Sequence, residues 1–380
     1  MSGAQNLLAR VLRVVRHDLV VLPALAIATV LTVLAGAEIG CRIAYPQTSG
    51  DACTVPDPVM GLRFRTNCVS HVKVAEGPWV DNVYNDCGSR SATPCAVPAD
   101  RRPRLAIFGN SISQGFMVPY SDTYGVRLAQ AASVLCHRPI DVQNVARETY
   151  DWRTTSLDLE EALQLKPSLL ATTVIPFDLE TDPEKSVHGP ASRAEQSIFK
   201  RLSELSSESR ALTIAKSLYY ANGDNFVKLY MSYGEKANFL RTPLSPFWEA
   251  RLILFDKLLA DLAERANRQK VPVLLIFVPQ QAQAMLAGRQ TPPAAVAPYQ
   301  LSERIAALSA KHGIHYVDTT SAFAHAANPS DLYYRVDGHP SPKGQHLIAD
   351  VALGAITSTP TLRQALCGSI PPAGHSGGGS

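Results

Sequence analysis

Short apolar runs alternate with helical patterns along the chain beyond residue 104. Five of these runs have the length of a strand: LAIF at 105–108, IDVQNV at 140–145, LLATTVI at 169–175, VPVLLIFV at 271–278 and IHYVD at 314–318. Each is followed or preceded by a stretch whose apolar residues recur at helical spacing. Strands that alternate with helices form a parallel sheet with helices on both faces. The pattern therefore predicts an α/β fold with about five parallel strands.

The segments around these strands have their own patterns. Residues 246–266 show the clearest helical pattern, because Ser245 and Pro246 suit the N-cap and first position and apolar residues follow at helical spacing. We expect these apolar residues to form a core-facing stripe: Leu252, Phe255, Leu258, Leu259 and Leu262. Residues 180–244 match no strand and predict a helical insertion in a domain spanning 104–358. Residues 46–103 predict an irregular lead-in, and residues 359–380 a flexible tail.

An uncharged apolar run precedes the lead-in. Residues 19–37 are long enough to cross a bilayer core of roughly 30 Å as a helix. Three arginines come before the run, so the positive-inside rule leaves residues 1–18 in the cytoplasm and exports the rest. Ala35-Gly36-Ala37 resembles the cleavage site of a signal peptide, which is the alternative. We expect an uncleaved anchor in the inner membrane, with the folded domain in the periplasm.

Cysteine usage agrees with export. Six of the seven cysteines lie well beyond the apolar run, and an even number in an oxidising compartment predicts three disulfides. Six cysteines allow 15 pairings, of which proximity favours Cys53–Cys68 and Cys87–Cys95 and leaves Cys136–Cys367. A zinc site is the competing interpretation, but no C-x-x-C pair occurs, so we expect no metal. The net charge of +3 is too small to indicate nucleic acid, and none is expected as a partner.

Ser111 lies on a tight corner in the segment LAIFGNSISQGF, directly after the first predicted strand. That position belongs to the sheet edge where ligands of open α/β sheets gather. A serine hydroxyl becomes a nucleophile when a histidine accepts its proton and an acid orients that histidine. Asp337 and His339 follow the last predicted strand and can reach the same edge. Ser341 and Pro342 then suit the N-cap and first position of a helix that buries Leu347, Ile348 and Val351.

These segments resemble a known family. FGNSISQG and DGHPSPKGQHLIAD are similar to the first and last blocks of the SGNH/GDSL hydrolase superfamily, and VYNDCGSR at 83–90 resembles the lead-in motif of its membrane-anchored, exported members. The resemblance implies a three-layer α/β/α sandwich and no cofactor. It also implies that Ser111 is the nucleophile, His339 the general base and Asp337 the acid that orients it.

The sequence departs from the family pattern at three places. Asn110 stands where the family usually has aspartate, and NVARET places Thr149 where a glycine N–H serves the oxyanion hole. The resemblance thus implies an oxyanion hole formed by the N–H groups of Ser111 and Thr149. VIPFDLE places Phe177 where the family has an asparagine, which removes one side-chain donor. The candidates to replace that donor are Asn144, Arg147 and Arg153.

The family resemblance also implies a function. A membrane-tethered, exported member is expected to remove or transfer small acyl groups, acetyl above all, on cell-surface or secreted polysaccharide. Its partners would be an acylated glycan or small ester, the membrane, and proteins of polysaccharide biosynthesis or export. The alternative is a weak or inactive relative that binds glycans. Four tyrosines in the insertion fit either a sugar cleft or acyl groove or ordinary packing: Tyr219, Tyr220, Tyr230 and Tyr233.

Overall fold

The computed structural model describes residues 2–46, 48–49, 53–73, 76–97, 100–147, 152–180 and 209–368. The chain divides into two compact units, one formed by 1–47 with 193–216 and the other by 48–192 with 217–380. The helices are α1 Ser2–Ala44, α2 Ser111–Gln114, α3 Tyr124–Leu135, α4 Trp152–Gln164, α5 Pro176–Glu180, α6 Arg210–Tyr220, α7 Gly223–Tyr230, α8 Pro246–Arg268, α9 Gln281–Ala287, α10 Gln300–Lys311, α11 Thr320–Ala324, α12 Pro342–Ser358 and α13 Pro360–Cys367. The strands are β1 Thr48–Ser49, β2 Thr54–Asp57, β3 Gly61–Phe64, β4 Cys68–Lys73, β5 Trp79–Tyr84, β6 Arg104–Ile107, β7 Asp141–Asn144, β8 Leu169–Val174, β9 Val273–Phe277 and β10 His315–Asp318.

The first unit contains the apolar helix α1. Its stretch Leu19–Ala44 is 26 residues long with a mean hydropathy of 2.5. By length and composition this stretch can cross a bilayer, and a signal sequence would meet the same criterion. The observed stretch extends the predicted span of 19–37 by two turns. Within this unit the Glu38 carboxylate accepts the N–H groups of Arg210 and Ala211 at the start of α6.

The second unit is built on a five-stranded sheet in the order β10-β9-β8-β6-β7. All four pairings are parallel, with Ile107 opposite both Asn144 and Ala171. The five predicted strands are confirmed, with ends that differ by a few residues. Because the strands are parallel, their carboxyl ends share one edge of the sheet, and the residues that follow β6 and β10 in the chain leave from that edge.

Alternate residues of the central strands enter two separate cores. Ala106 and Leu275 pack on one face with the α8 residues Leu252 and Phe255. Leu105, Ile107 and Ile276 pack on the other face with residues of α3 and α12, including Leu128 and Ile348. Helices therefore cover both faces, and the three-layer α/β/α sandwich is confirmed. Three residues predicted to be buried are only partly so: Leu258, Leu347 and Val351.

The lead-in is more regular than the sequence pattern predicts. Strands β1, β4 and β5 form one antiparallel sheet, and β2 pairs with β3 in another. The prediction of an irregular segment is therefore wrong for these residues. The sequence pattern of these strands is weak because apolar and buried positions do not coincide. The polar Ser70 is buried, whereas the paired Val69 and Val83 are 62% and 40% exposed.

The three predicted disulfides are present: Cys53–Cys68, Cys87–Cys95 and Cys136–Cys367. Asp86 lies close enough to Cys87 and Cys95 for all three to hold a metal ion. Because these two sulfurs are bonded to each other, they are not the thiolates that zinc requires.

The predicted flexible tail is partly wrong. Pro360–Cys367 form helix α13, in which Leu362 and Leu366 are fully buried against the sheet. This apolar pair and the Cys136–Cys367 disulfide fix the segment to the domain. Residues 369–380 lie outside the described residues. In the predicted insertion, the described residues 209–244 contain α6, α7 and a 3-10 helix at Gly234–Leu240, joined by turns.

Candidate active site

Ser111 begins a helical turn immediately after β6. Gly109 adopts φ +110°, and a Cβ there would lie 2.4 Å from the Thr172 hydroxyl, so the corner requires glycine. Asn110 is the N-cap of α2, because its side-chain oxygen accepts the N–H groups of Ile112 and Ser113 at 3.1 and 3.0 Å. Ser111 thus occupies the first helical position, where a backbone N–H has no partner within the helix.

His339 reaches Ser111 from the loop before α12. Its Nε2 lies 2.7 Å from Ser111 Oγ, and its Nδ1 is hydrogen-bonded to Asp337 Oδ1. Partial burial raises the pKa of Asp337, but hydrogen bonds and attraction from His339 outweigh it and hold the pKa below its usual range. As a carboxylate can only accept, Nδ1 carries the hydrogen and Nε2 accepts from the Ser111 hydroxyl. The structure brings the three predicted residues together in the order serine, histidine, aspartate. This is the order that a nucleophile, its base and an orienting acid require.

The loop that carries Asp337 and His339 is held by backbone hydrogen bonds within the loop and by hydrogen bonds to a residue of the lead-in. Tyr334 donates its N–H to the His339 carbonyl at 2.9 Å, and Gly338 donates to the Tyr334 carbonyl at 2.7 Å with φ +88°. Glu76, in the lead-in, accepts the N–H groups of Val336 and Asp337, both at 2.8 Å. Burial raises the pKa of Glu76 despite these two hydrogen bonds. No motif marks Glu76 in the sequence.

Arg90 supports the other side of the Ser111 turn. It is 2% exposed, and its guanidinium donates to the carbonyls of Gln114, Gly115 and Val118 at 2.6–2.8 Å. Arg90 is the last residue of the lead-in motif VYNDCGSR. The motif therefore holds the carboxyl end of α2 and the residues that follow it.

A cavity of about 250 Å³ opens over Ser111. We call it the serine pocket, and its lining includes Ser111, Phe177, Gln280, Tyr333, Gly338 and His339. The Tyr333 hydroxyl donates to the Pro279 carbonyl at 2.8 Å, which fixes one wall. Gln280 follows β9 and was not singled out by the sequence pattern. An ester carbonyl placed in this pocket would lie beside a serine already hydrogen-bonded to a histidine.

A family model described as "SGNH hydrolase-like domain, acetyltransferase AlgX" matches residues 248–366. The matched segment contains β9, β10, Asp337 and His339, and Ser111 lies before it. Residues 248–366 of the chain are therefore similar to an SGNH hydrolase-like domain.

Several solved structures are similar to this chain at low identity. The acetyl xylan esterase AlAXEase is 14% identical with a TM-score of 0.39, over 67% of this chain and 99% of that one. A mutant of Axe2, an acetyl-xylooligosaccharide esterase from Geobacillus Stearmophilus, is 14% identical with a TM-score of 0.38, over 67% and 94%. A lipase/acylhydrolase from Enterococcus faecalis is 12% identical with a TM-score of 0.34, over 67% and 95%. No curated protein sequence matches the chain.

The donors proposed for the oxyanion hole divide into described and undescribed residues. Thr149 and the side chain of Arg153 lie outside the described residues, so their roles stay predictions. Asn144 donates its side-chain N–H to the Ser113 carbonyl at 2.9 Å, and Arg147 pairs with Asp158 and Glu161. Both side chains are bonded to other parts of the protein, and neither lines the serine pocket. Neither therefore replaces the asparagine side-chain donor that Phe177 removes.

Phe177 lines the serine pocket at the position where the family motif has asparagine, and the next residue, Asp178, is buried. Asp178 Oδ2 accepts from Asn110 Nδ2 at 2.6 Å and from the Ile175 N–H at 2.9 Å. Burial raises the pKa of Asp178 to about 7, although the two hydrogen bonds and attraction to His339 oppose the rise. An aspartate at position 110 would place two carboxyls together, and Asn110 instead donates a hydrogen bond to Asp178.

Proposed function

We propose that this protein is a serine esterase or O-acetyltransferase of the SGNH hydrolase superfamily that removes or transfers small acyl groups on cell-surface or secreted polysaccharide. The observation that carries the proposal is the 2.7 Å contact between Ser111 Oγ and His339 Nε2, with Asp337 bonded to the other ring nitrogen. A serine placed against a histidine that a carboxylate orients is the arrangement acyl transfer requires.

In the proposed first step, Ser111 Oγ attacks the ester carbonyl carbon while its proton passes to His339 Nε2. Asp337 stabilises the imidazolium that forms, and the N–H groups of Ser111 and Thr149 receive the oxyanion. The carbon–oxygen bond to the alcohol then breaks, and the alcohol leaves with the proton from His339. The acyl group remains on Ser111.

In the second step, water or a sugar hydroxyl gives its proton to His339 and attacks the acyl carbonyl. The bond to Ser111 breaks, and Ser111 recovers the proton. Water yields the free acid, and a sugar hydroxyl yields a new ester. No metal or organic cofactor takes part in the proposed mechanism.

The proposed location is the inner membrane, with α1 as a single-pass anchor and the domain in the periplasm. The 26-residue apolar stretch and three disulfides support an extracytoplasmic domain. Proteins of polysaccharide biosynthesis or export are the proposed partners. Protease added to spheroplasts is expected to digest the domain, and protection of the domain would contradict this location.

The full-length protein in detergent, given 4-nitrophenyl acetate, is expected to release acetate. Ser111→Ala should lose that activity. Ser321→Ala is a matched control, because Ser321 is exposed, its hydroxyl lies 3.4 Å from His325 Nδ1, and no carboxylate of the described residues is hydrogen-bonded to that histidine. Equal losses in the two variants would contradict the proposal. Acetate release that falls as a glycan acceptor becomes acetylated would favour the transferase.

A second candidate is a glycan-binding relative with little turnover. Phe177 in place of the asparagine donor favours it, because one oxyanion donor is commonly worth 10²–10³ in rate. Binding of oligosaccharide without turnover of any ester would support this alternative.

A further inference from the structure

A second cavity of about 200 Å³ adjoins the serine pocket. We call it the aromatic pocket, and its lining includes Phe177, Glu180, Tyr230, Tyr233, Lys236 and Gln280. Phe177 and Gln280 line both cavities. A ligand that fills the aromatic pocket therefore ends beside the space over Ser111.

The floor of the aromatic pocket is rigid. Trp248 and Phe239 are 0% and 1% exposed, and their rings meet edge to face with centroids 5.3 Å apart. The Trp248 indole N–H donates to the Glu235 carbonyl at 2.8 Å, so its polar atom is satisfied within the protein. Tyr230 packs on Phe239 and on Tyr233, with ring centroids 6.4 and 5.7 Å apart. The pocket is thus formed before any ligand arrives.

The two charged side chains at the rim of the aromatic pocket, Lys236 and Glu180, form an ion pair. Lys236 Nζ lies 2.9 Å from Glu180 Oε1 and 5.9 Å from the centre of the Phe177 ring. Tyr233 is 48% exposed, so part of its side chain is available to a ligand. Ring faces next to an ion pair, tyrosine hydroxyls and a glutamine amide offer apolar contact together with several donors and acceptors.

This combination distinguishes between ligand classes. A long acyl chain would remove water from Lys236 and Glu180 without offering them hydrogen bonds, which is costly. A phosphate or carboxylate ligand would meet a lysine that a glutamate already neutralises. A neutral sugar ring satisfies both demands, because its C–H face can lie on an aromatic ring and its hydroxyls can bond the ion pair.

We propose that the aromatic pocket binds one neutral sugar ring of the glycan and holds its ester next to Ser111. This inference rests on the proposed function, because it names the substrate part that the acyl transfer site would engage. Phe177 and Gln280 then form the passage through which the ester reaches the serine pocket.

Two measurements on the full-length protein in detergent test the proposal. The first is binding of neutral tetrasaccharides (cellotetraose, xylotetraose and mannotetraose) to the Ser111→Ala variant by calorimetry, alone and combined with Tyr233→Ala. The second is turnover of their acetylated forms and of 4-nitrophenyl acetate. Tyr219→Ala is the matched control, because Tyr219 is 53% exposed and lies outside the pocket lining.

Tyr233→Ala is expected to weaken binding of at least one tetrasaccharide about tenfold, which is the scale of a lost aromatic contact. It should raise KM for the acetylated tetrasaccharide by a similar factor and raise KM for 4-nitrophenyl acetate, which is too small to fill both pockets, by a smaller factor. Tyr219→Ala should change neither. Lys236→Met is expected to weaken binding as well, since it removes half of the ion pair.

The outcomes separate this inference from the proposed function. Turnover of 4-nitrophenyl acetate together with no Tyr233-dependent binding of any tetrasaccharide would overturn the sugar pocket alone. Tyr233-dependent binding without turnover of any ester would support the pocket and overturn the proposed chemistry. Tighter binding of tetragalacturonate than of every neutral tetrasaccharide would overturn the assignment to a neutral sugar.

Discussion

Glu76 holds the backbone of Asp337 in place, because its carboxylate accepts the Asp337 N–H at 2.8 Å. It accepts the Val336 N–H at the same distance. The two residues lie 261 positions apart, so the lead-in sheet region directly supports the loop that carries the predicted acid and base.

Glu76→Ala is therefore expected to lower kcat on 4-nitrophenyl acetate by about tenfold, because a loosened loop misplaces His339 against Ser111. KM should change little, since Glu76 does not line the serine pocket. Glu76→Gln should recover most of the loss, because an amide oxygen accepts the same N–H groups. Glu264→Ala, at an exposed glutamate of α8, is the control. A rise in KM with unchanged kcat would show that Glu76 does not act through the loop.

Asp178 should make the free energy of unfolding depend on pH. Its folded pKa of about 7 lies above the ordinary aspartate value of 3.8, so the folded state keeps a proton that the unfolded state releases between about pH 4 and 7. Asp178 therefore contributes most favourably below pH 4, and its contribution falls as pH rises through 7. Asp178→Asn should remove a dependence of up to roughly 4 kcal/mol across that window. Denaturant unfolding at pH 4 and pH 7 measures this dependence in the wild type and in Asp178→Asn. If the free energy of unfolding changed equally with pH in the two proteins, the burial effect on Asp178 would be contradicted.

Phe177→Asn should raise kcat on 4-nitrophenyl acetate if the missing amide limits the rate, by up to the 10²–10³ expected for one oxyanion donor. Phe177→Leu removes the ring without adding a donor and should give no such rise. An unchanged rate in the asparagine variant, with folding intact, would mean that another group already occupies the oxyanion hole.

The Cys136–Cys367 disulfide closes a loop across 231 positions. Cross-linking residues so far apart restricts the unfolded chain, and loss of such a bond costs on the order of 2–5 kcal/mol. Cys136→Ser with Cys367→Ser is therefore expected to lower the free energy of unfolding by this amount, measured by denaturant titration. An unchanged midpoint would show that Leu362 and Leu366 hold α13 without the disulfide.

Much of the sheet could be predicted from sequence because its strands are continuous apolar runs, as parallel strands buried on both faces require. The approach of Asp337 and His339 to Ser111 could be predicted because the three follow strands that end at one edge. The helix α13 could have been found, since Pro360 suits a first helical position and Leu362 and Leu366 are four residues apart.

Other features could not be predicted from local patterns. Glu76 looks like any surface glutamate in the sequence, and only tertiary folding brings it to the loop of Asp337. The contact of Asn110 with Asp178 likewise joins two loops that no sequence spacing relates. The sequence does not decide whether Tyr230 and Tyr233 pack in the core or line a pocket. A tyrosine in a helical segment shows the same spacing in either case, and the structure places both in the lining of the aromatic pocket.

The most direct test of the proposed chemistry is the intact mass of the full-length protein quenched during reaction with 4-nitrophenyl acetate. We predict that one acetyl group is added, that peptide mapping places it on Ser111, and that Ser111→Ala abolishes it. His339→Ala and Asp337→Asn should each slow its formation strongly, and the double variant should be little slower than the worse single one. An acetyl group mapped to another residue, or one that persists in Ser111→Ala at the same rate, would contradict Ser111 as the nucleophile.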